Sequence, residues 1–320
     1  MTRPLVSVLL PYRDAGETIE EALTSVLEER AVELEVIAVD DGSRDDGAET
    51  VATEGVGIAR ALARGHAIAR GRLVARMDAD DVSLPGRFEA QAAMLDGDVR
   101  LGVVGTQVEA FPAVGEGMLR YVAWMNSLVS PEDHERDLFV ESPLCHPSVM
   151  MRREALDDAG GYRDVPWAED YDLWLRLAAR GWAIAKVARV MLRWRHSEAR
   201  ATLRDPRYAL PRFDAAKACY LAPRLLAKRR PVAVWGAGKT GKRIARALAQ
   251  SGACAEVFAD IDPRKIGRVA RGAPIVRPDE LERGRHTVVV AVGARGARLE
   301  VRAWLDARGF VEGVDYVCAS

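Results

Sequence analysis

Residues 6–10 (VSVLL) form a run that is apolar except for Ser7, the pattern of a strand covered on both faces. The period then changes. Ile19, Ala22, Leu23, Val26 and Leu27 recur at helical spacing, which predicts an amphipathic helix over 16–30. Asp14 is its expected N-cap, and Glu17, Glu20 and Glu21 suit the positive end of its dipole. Residues 34–39 (LEVIAV) predict a second strand that runs into Asp40-Asp41-Gly42-Ser43. A helix is expected over 57–69, then a third strand over 73–77 that runs into Asp78. Such alternation implies an α/β fold with a mostly parallel sheet and ligands beyond the carboxyl ends of its strands. Residues 206–230 read as helical or linking and end in Lys228-Arg229-Arg230. After Pro231 a fresh strand, Val232-Ala233-Val234-Trp235, meets a glycine-rich turn. The expected organisation is a first domain over 1–205, a helical linker over 206–230 and a smaller α/β domain over 231–320.

The length of 320 residues fits two domains at about 150 residues each. With 49% hydrophobic and 29% charged residues, disorder, collagen and coiled coil are excluded. Lys and Arg number 46 against 47 Asp and Glu, so the net charge of -1 gives no reason to expect nucleic-acid binding. Cys145, Cys219, Cys254 and Cys318 lie far apart without a CxxC pair, which argues against a zinc ribbon or a disulfide scaffold. The first apolar run is too short for a signal peptide, and no apolar segment approaches the ~18 residues of a membrane span. A cytoplasmic protein is expected; peripheral contact with the inner face of a membrane and a homodimer stay open.

The most informative segment is Arg76-Met77-Asp78-Ala79-Asp80-Asp81. Three carboxylates in four positions repel one another, and a divalent cation would remove that penalty. Mg²⁺ and Mn²⁺ favour oxygen ligands and often take one or two carboxylates together with phosphate oxygens. A solvated acidic turn would give the same short pattern. Asp40-Asp41 closes the preceding strand, and adjacent parallel strands end at one edge, so both acidic groups can face one cleft. Glu169-Asp170 precedes a helical stripe of Leu173, Leu177 and Ala178. There the acids either cap a helix or supply a general base.

The order of these motifs resembles that of family 2 glycosyltransferases with a GT-A fold. The matching pieces are Val6-Ser7-Val8-Leu9-Leu10-Pro11-Tyr12-Arg13, Val39-Asp40-Asp41-Gly42-Ser43, Ala75-Arg76-Met77-Asp78-Ala79-Asp80-Asp81, Cys145-His146-Pro147-Ser148-Val149-Met150 and Ala168-Glu169-Asp170-Tyr171-Asp172-Leu173-Trp174-Leu175-Arg176. The resemblance covers about residues 4–200. It implies a nucleotide-sugar donor, usually a UDP-sugar, with Mg²⁺ or Mn²⁺, and a saccharide or lipid-linked acceptor in bacterial polysaccharide or glycoconjugate synthesis. Carried over by motif, Pro11, Tyr12, Arg13 and Asp40 border the nucleoside; Asp78 lies near the ribose or the metal, and Asp80 ligates the metal. Asp170 is then the base that deprotonates the acceptor hydroxyl in a single, inverting displacement. Ala63 stands where the family often has Asn, and Tyr12 follows Pro11 without the extra residue common in relatives.

His146 is either structural or, from its place in a family segment, part of the acceptor cleft with Glu169. His196 is either structural or, as in some related enzymes, a further metal ligand. The flat faces of Trp167 and Trp194 make them the better candidates for stacking an acceptor sugar. Arg189, Arg193, Arg195, Arg200, Arg204, Arg207 and Arg212 form a basic run. It reads either as a solvated segment or as a lid whose guanidinium groups clamp diphosphate or meet an anionic lipid-linked acceptor. In the last domain, Gly236-x-Gly238-x-x-Gly241 follows a strand and opens a helix, and Asp260 ends the next strand about 20 residues on, where an acid can meet a ribose hydroxyl. NAD(P) or another nucleotide is the expected ligand, with a purely structural or dimerising domain as the alternative. Arg243 stands where a P-loop needs Ser or Thr, and no Tyr-x-x-x-Lys pair follows, so neither an ATPase nor a catalytic oxidoreductase is expected. The rival readings for the whole chain are a nucleotidyltransferase and a nucleotide-binding regulatory protein with an inactive first domain.

Overall fold

The structure, a computed structural model, describes residues 5–43, 51–52, 55–197 and 205–320. The chain divides into two compact units. The first comprises Met1–Glu135, Ser142–Val165 and Glu169–Arg204; the second comprises Arg136–Glu141, Pro166–Ala168 and Asp205–Ser320.

The first unit is built on strands β1 (Leu5–Tyr12), β2 (Glu33–Asp40), β3 (Val51–Ala52), β4 (Leu73–Arg76), β5 (Val82–Ser83), β6 (Leu101–Phe111), β7 (Met150–Arg152) and β8 (Ala183–Arg195). They form one sheet in the order β3-β2-β1-β4-β7-β6-β8-β5. β1 pairs in parallel with β2 and β4, as do β2 with β3 and β6 with β8. β7 is antiparallel to both β4 and β6, and β5 to β8. After its first residue, β1 is buried throughout, Ser7 included, as a strand covered on both faces is. The helix Ile19–Leu27 buries Ile19, Ala22 and Val26. Leu27, expected on that face, is exposed at the helix end. The expected cap also differs. Thr18 precedes the helix without a side-chain cap, while Asp14 adopts a left-handed φ of 52° and its N–H donates to Ser43 Oγ at 3.1 Å.

The second unit carries β9 (Val232–Trp235), β10 (Ala255–Ala259), β11 (Val269–Ala270), β12 (Ala273–Val276), β13 (Thr287–Val290) and β14 (Tyr316–Cys318). Their order is β11-β12-β10-β9-β13-β14, parallel except for the β11–β12 pair. The helix Lys239–Gln250 buries Ile244, Ala245, Ala247 and Leu248 against this unit. Among the described residues no helix is long and apolar enough to cross a membrane.

Candidate active site

β1 and β4 run side by side, Leu9 opposite Arg76, and the Met77 N–H continues the pairing to Leu9 O at 3.0 Å. The chain leaves β4 into the acidic turn. Among the described residues, Asp78, Asp80 and Asp81 are the group in which one carboxylate oxygen from each lies within 4.8 Å of the other two. Two arginines offset their repulsion. Arg76 is fully buried; one nitrogen donates to Asp78 Oδ1 at 2.6 Å and the other to Met77 O. Arg195 donates its backbone N–H to Asp81 Oδ1 at 2.7 Å and its Nε to Asp80 O at 2.6 Å. Asp81 is buried, whereas Asp78 and Asp80 stay partly open to solvent. An all-carboxylate donor set with two accessible members suits a hard divalent cation.

On the other side of β1, Tyr12 pairs with Asp40 at the end of β2, and the Asp41 N–H donates to Tyr12 O at 2.8 Å. Pro11, Tyr12 and Asp40 therefore share the carboxyl edge of the sheet with Asp78. Asp40 accepts from Ser43 through its N–H at 2.8 Å and its Oγ at 2.6 Å. Arg13 is half-exposed, 3.8 Å from Asp14. Asp41 serves the backbone instead, accepting from the Val56 and Gly57 N–H groups that enter the helix Ile58–Ile68.

β7 carries a third segment to the same edge. Because it runs antiparallel to β4, the residues just before it lie beside the residues just after β4, and the Arg76 N–H donates to Val149 O at 3.0 Å. His146 is buried there, its ring 5.8 Å from those of both Tyr162 and Trp174, and its Nδ1 3.9 Å from Glu169 Oε1. Burial and the nearby Arg76 charge hold its pKa well below the ordinary imidazole value, so it is neutral.

Glu169 and Asp170 open the helix Glu169–Ala179. Glu169 is buried; Asp170 keeps a partly accessible carboxyl in an otherwise dry setting. Burial, then the neighbouring Glu169 charge, pushes the Asp170 pKa well above the usual carboxylate range. The Tyr171 N–H at 2.7 Å and the Arg76 charge pull the other way without prevailing. Further along, Asp172 and Arg176 form a buried pair at 2.7 Å that also ties the helix to Ala159 O and Gly161 O. Arg76 is thus the common node. It bonds Asp78, and against the cost of burial its own proton is held more tightly, chiefly by the charge of Asp78 and further by that of Glu169.

Other expected residues fall elsewhere. His196 is outside the carboxylate group, and Asp81 is the third member; the His196 N–H is fixed to Phe111 O at 2.7 Å. Trp167 lies in the segment Pro166–Ala168, which groups with the second unit. Trp194 is buried in β8 rather than displayed as a platform. Arg189, Arg193 and Arg195 lie on β8, not on a lid, and the last two stack on Phe111 at 4.3 and 4.5 Å. Arg207 pairs with Asp205 at 2.6 Å, Arg212 is exposed on the helix Leu210–Ala227, and Arg200 and Arg204 lie outside the described residues. In the second unit Gly236 and Gly238 form the turn between β9 and the helix Lys239–Gln250, Gly241 lies in that helix's first turn, and Asp260 follows β10.

Two buried residues escaped sequence reasoning. Arg87 donates to Arg76 O and Pro147 O, both at 2.7 Å, and burial draws its pKa down to about 10. Gln91 donates to Val104 O at 2.7 Å and Ser148 O at 2.9 Å. Both lie on the face of the helix Arg87–Gly97 that also buries Phe88, Ala92 and Leu95. A polar pair four residues apart within an apolar stripe was the available signal.

A family model described as Glycosyl transferase family 2 matches residues 7–160. Putative glycosyltransferase EpsE of Bacillus subtilis (strain 168) is 30% identical over 198 residues, 56% of this chain and 68% of the relative. An Escherichia coli protein named UDP-Gal:alpha-D-GlcNAc-diphosphoundecaprenol beta-1,3-galactosyltransferase is 26% identical over 238 residues, covering 68% of this chain and 84% of its own length. Among solved structures, S. aureus TarS 1-349 in complex with UDP-GlcNAc superposes with a TM-score of 0.55 at 18% identity, over 78% of this chain and 71% of that one. That last likeness shows the shared GT-A fold.

Proposed function

Because this chain belongs to glycosyl transferase family 2, we propose that it moves a sugar, with inversion, from a nucleotide-sugar donor to an acceptor hydroxyl in bacterial polysaccharide or glycoconjugate assembly. The observation that carries the reading is the convergence on Arg76: the acidic turn after β4 and the Glu169-Asp170 pair, some ninety residues apart, lie within reach of one buried guanidinium. A UDP-sugar is the first donor to test, since a relative matched over most of its length is named for UDP-Gal. That relative's diphosphoundecaprenol substrate likewise makes a lipid-linked saccharide a reasonable acceptor class.

In this reading Asp78 and Asp80 hold Mg²⁺ or Mn²⁺, with Asp81 completing the turn. Bound there, the cation supplies charge neutralisation to the departing diphosphate. Pro11, Tyr12, Arg13 and Asp40 border the nucleoside at the edge of β1 and β2. Asp170, once ionised, takes the acceptor proton onto its carboxylate as the acceptor oxygen bonds the anomeric carbon. The bond to the phosphate oxygen breaks on the opposite face, and its electron pair leaves with the diphosphate. The raised proton affinity of Asp170 makes it a stronger base than an ordinary Asp. His146 and Glu169 line the acceptor side, the neutral imidazole offering a hydrogen bond without charge.

Calorimetric titration of the full chain with UDP-, GDP- and dTDP-sugars, with and without Mn²⁺, tests the proposal. Metal-dependent binding of at least one donor class is expected. Failure of Mn²⁺ to strengthen the binding of any donor would remove the reading.

A further inference from the structure

The glycine-rich turn of the second unit sits where its strand order reverses. The chain passes from β9 outward to β10 and β12, then returns to β13 on the other side of β9. In open parallel sheets, ligands lie beyond the carboxyl ends of the strands at such a reversal. A cavity of about 610 Å³ opens there, lined in part by Trp235, Gly238, Lys239, Ile261, Lys265 and Trp304. That volume is within the range of small-molecule sites.

The glycines around it are of two kinds. A Cβ on Gly236 would lie 2.5 Å from Ala291 O, one on Gly241 1.7 Å from Gly236 O, and one on Gly293 2.5 Å from Thr240 Oγ1. Backbone packing alone forbids side chains at Gly236 and Gly241, and at Gly293 the Thr240 side chain would have to move. Gly238 differs: a Cβ there would meet nothing within 4 Å, and its φ of -84° suits any residue. The protein's own packing does not explain this glycine. A bare backbone in a cavity at the start of a twelve-residue helix does allow a phosphate to approach closely. Lys239, on the first turn, adds a cation.

The other walls suit a base. Ile261 is 77% exposed, an aliphatic face on the rim, and Trp235 and Trp304 meet edge to face at 4.8 Å. Asp260 does something other than wait for a ribose. It accepts from the Ala237 N–H at 2.8 Å, the Asp262 N–H at 2.9 Å and Lys265 Nζ at 3.0 Å. Its charge is matched, and its first role is to brace the turn.

We infer that this cavity binds the nucleoside diphosphate moiety of a nucleotide, with phosphates at Gly238 and Lys239 and the base against Ile261. Its residues are distinct from those of the acidic turn in the first unit, and it does not depend on the transferase reading. Nucleotide-sugars and dinucleotides share this chemistry, and the test separates them.

The full chain in EDTA, where the metal-dependent donor site is silent, is titrated with UDP, ADP, UDP-glucose and NAD⁺ while tryptophan emission is followed. Saturable one-site binding with a change in emission is expected, and it persists in Asp80→Ala. Gly238→Asp places a carboxylate where phosphate would sit. It keeps the melting temperature of the ligand-free protein, because its Cβ meets no atom, and loses binding. Lys239→Ala weakens binding about tenfold, the loss of one charge-assisted contact. NAD⁺ binding more tightly than ADP identifies a dinucleotide; UDP-glucose binding more tightly than UDP identifies a nucleotide-sugar; either supports the inference. No binding of any of the four at millimolar concentration, or binding unchanged by both Gly238→Asp and Lys239→Ala, overturns it.

Discussion

At the scale of single residues, the site is a problem of holding like charges together. Arg76 resolves part of it for Asp78, but Asp170 and Glu169 remain neighbours in a dry setting, and Asp170 holds its proton more tightly than an ordinary Asp as a result. Asp170→Asn should abolish transfer, with a loss of at least about a hundredfold, while calorimetric donor affinity stays nearly intact. Normal turnover in that variant would remove the base assignment. The pH dependence follows from the same shift. Transfer needs the ionised base, so the rate falls as pH drops through the raised Asp170 value. Glu169→Gln removes the charge that helps raise it, and the acidic limb of the pH–rate profile should move to lower pH. Stability has the opposite sign. The ligand-free folded state binds this proton more tightly than the unfolded state does. That contribution is complete below the ordinary Asp value of about 3.9 and is lost as pH rises through the folded value. Denaturant titrations of Asp170→Asn against pH should lack this slope.

At the scale of elements, the position of each acid depends on where a strand stops. β4 stays buried through Arg76 and ends in the acidic turn, while β7, antiparallel beside it, brings the His146 segment to the same edge. Arg87 and Gln91 join the two by satisfying carbonyls of Arg76, Pro147 and Ser148. Arg87→Met keeps much of the bulk but leaves two buried carbonyl groups without this donor. It should lower stability by about 2–3 kcal/mol, read as a lower denaturant midpoint at unchanged slope. A shift under about 0.5 kcal/mol would mean that the network is not holding the turn. β8 shows why the basic run is hard to read from its residues alone. Its arginines look like a solvated stretch in sequence, yet Arg195 is fixed by the Asp80 carbonyl, the Asp81 carboxylate and the Phe111 face.

At the scale of the whole molecule, the chain carries two parallel-rich sheets in separate units, and the carboxylates of the proposed donor site all come from the first. A ligand that binds only the folded state stabilises it by mass action, by about 2.7 kcal/mol at a hundredfold excess over its Kd. Mn²⁺ should therefore raise the melting temperature of the full chain with a binding nucleotide-sugar by several degrees beyond the rise that the nucleotide-sugar gives alone, and EDTA should remove that metal-dependent part. Asp80→Ala should lose the metal-dependent part of that shift. An identical shift in Asp80→Ala would show that the acidic turn does not hold the cation.

The amino-acid order by itself determined the alternation of strand and helix, because apolar period is a local property: VSVLL at 6–10 and the stripe around Ile19 report their burial directly. It also determined that carboxylates would end those strands, since Asp40 and Asp78 directly follow the strand patterns at 34–39 and 73–77. Only the tertiary structure decided which charged groups meet. That Arg76 faces Asp78 and the Glu169-Asp170 pair, that Asp81 and not His196 completes the acidic group, and that Asp260 braces a turn are consequences of strand order and of antiparallel β7. Electrostatic energies depend on separations of a few ångströms and on the loss of water, and neither is fixed until distant segments have packed.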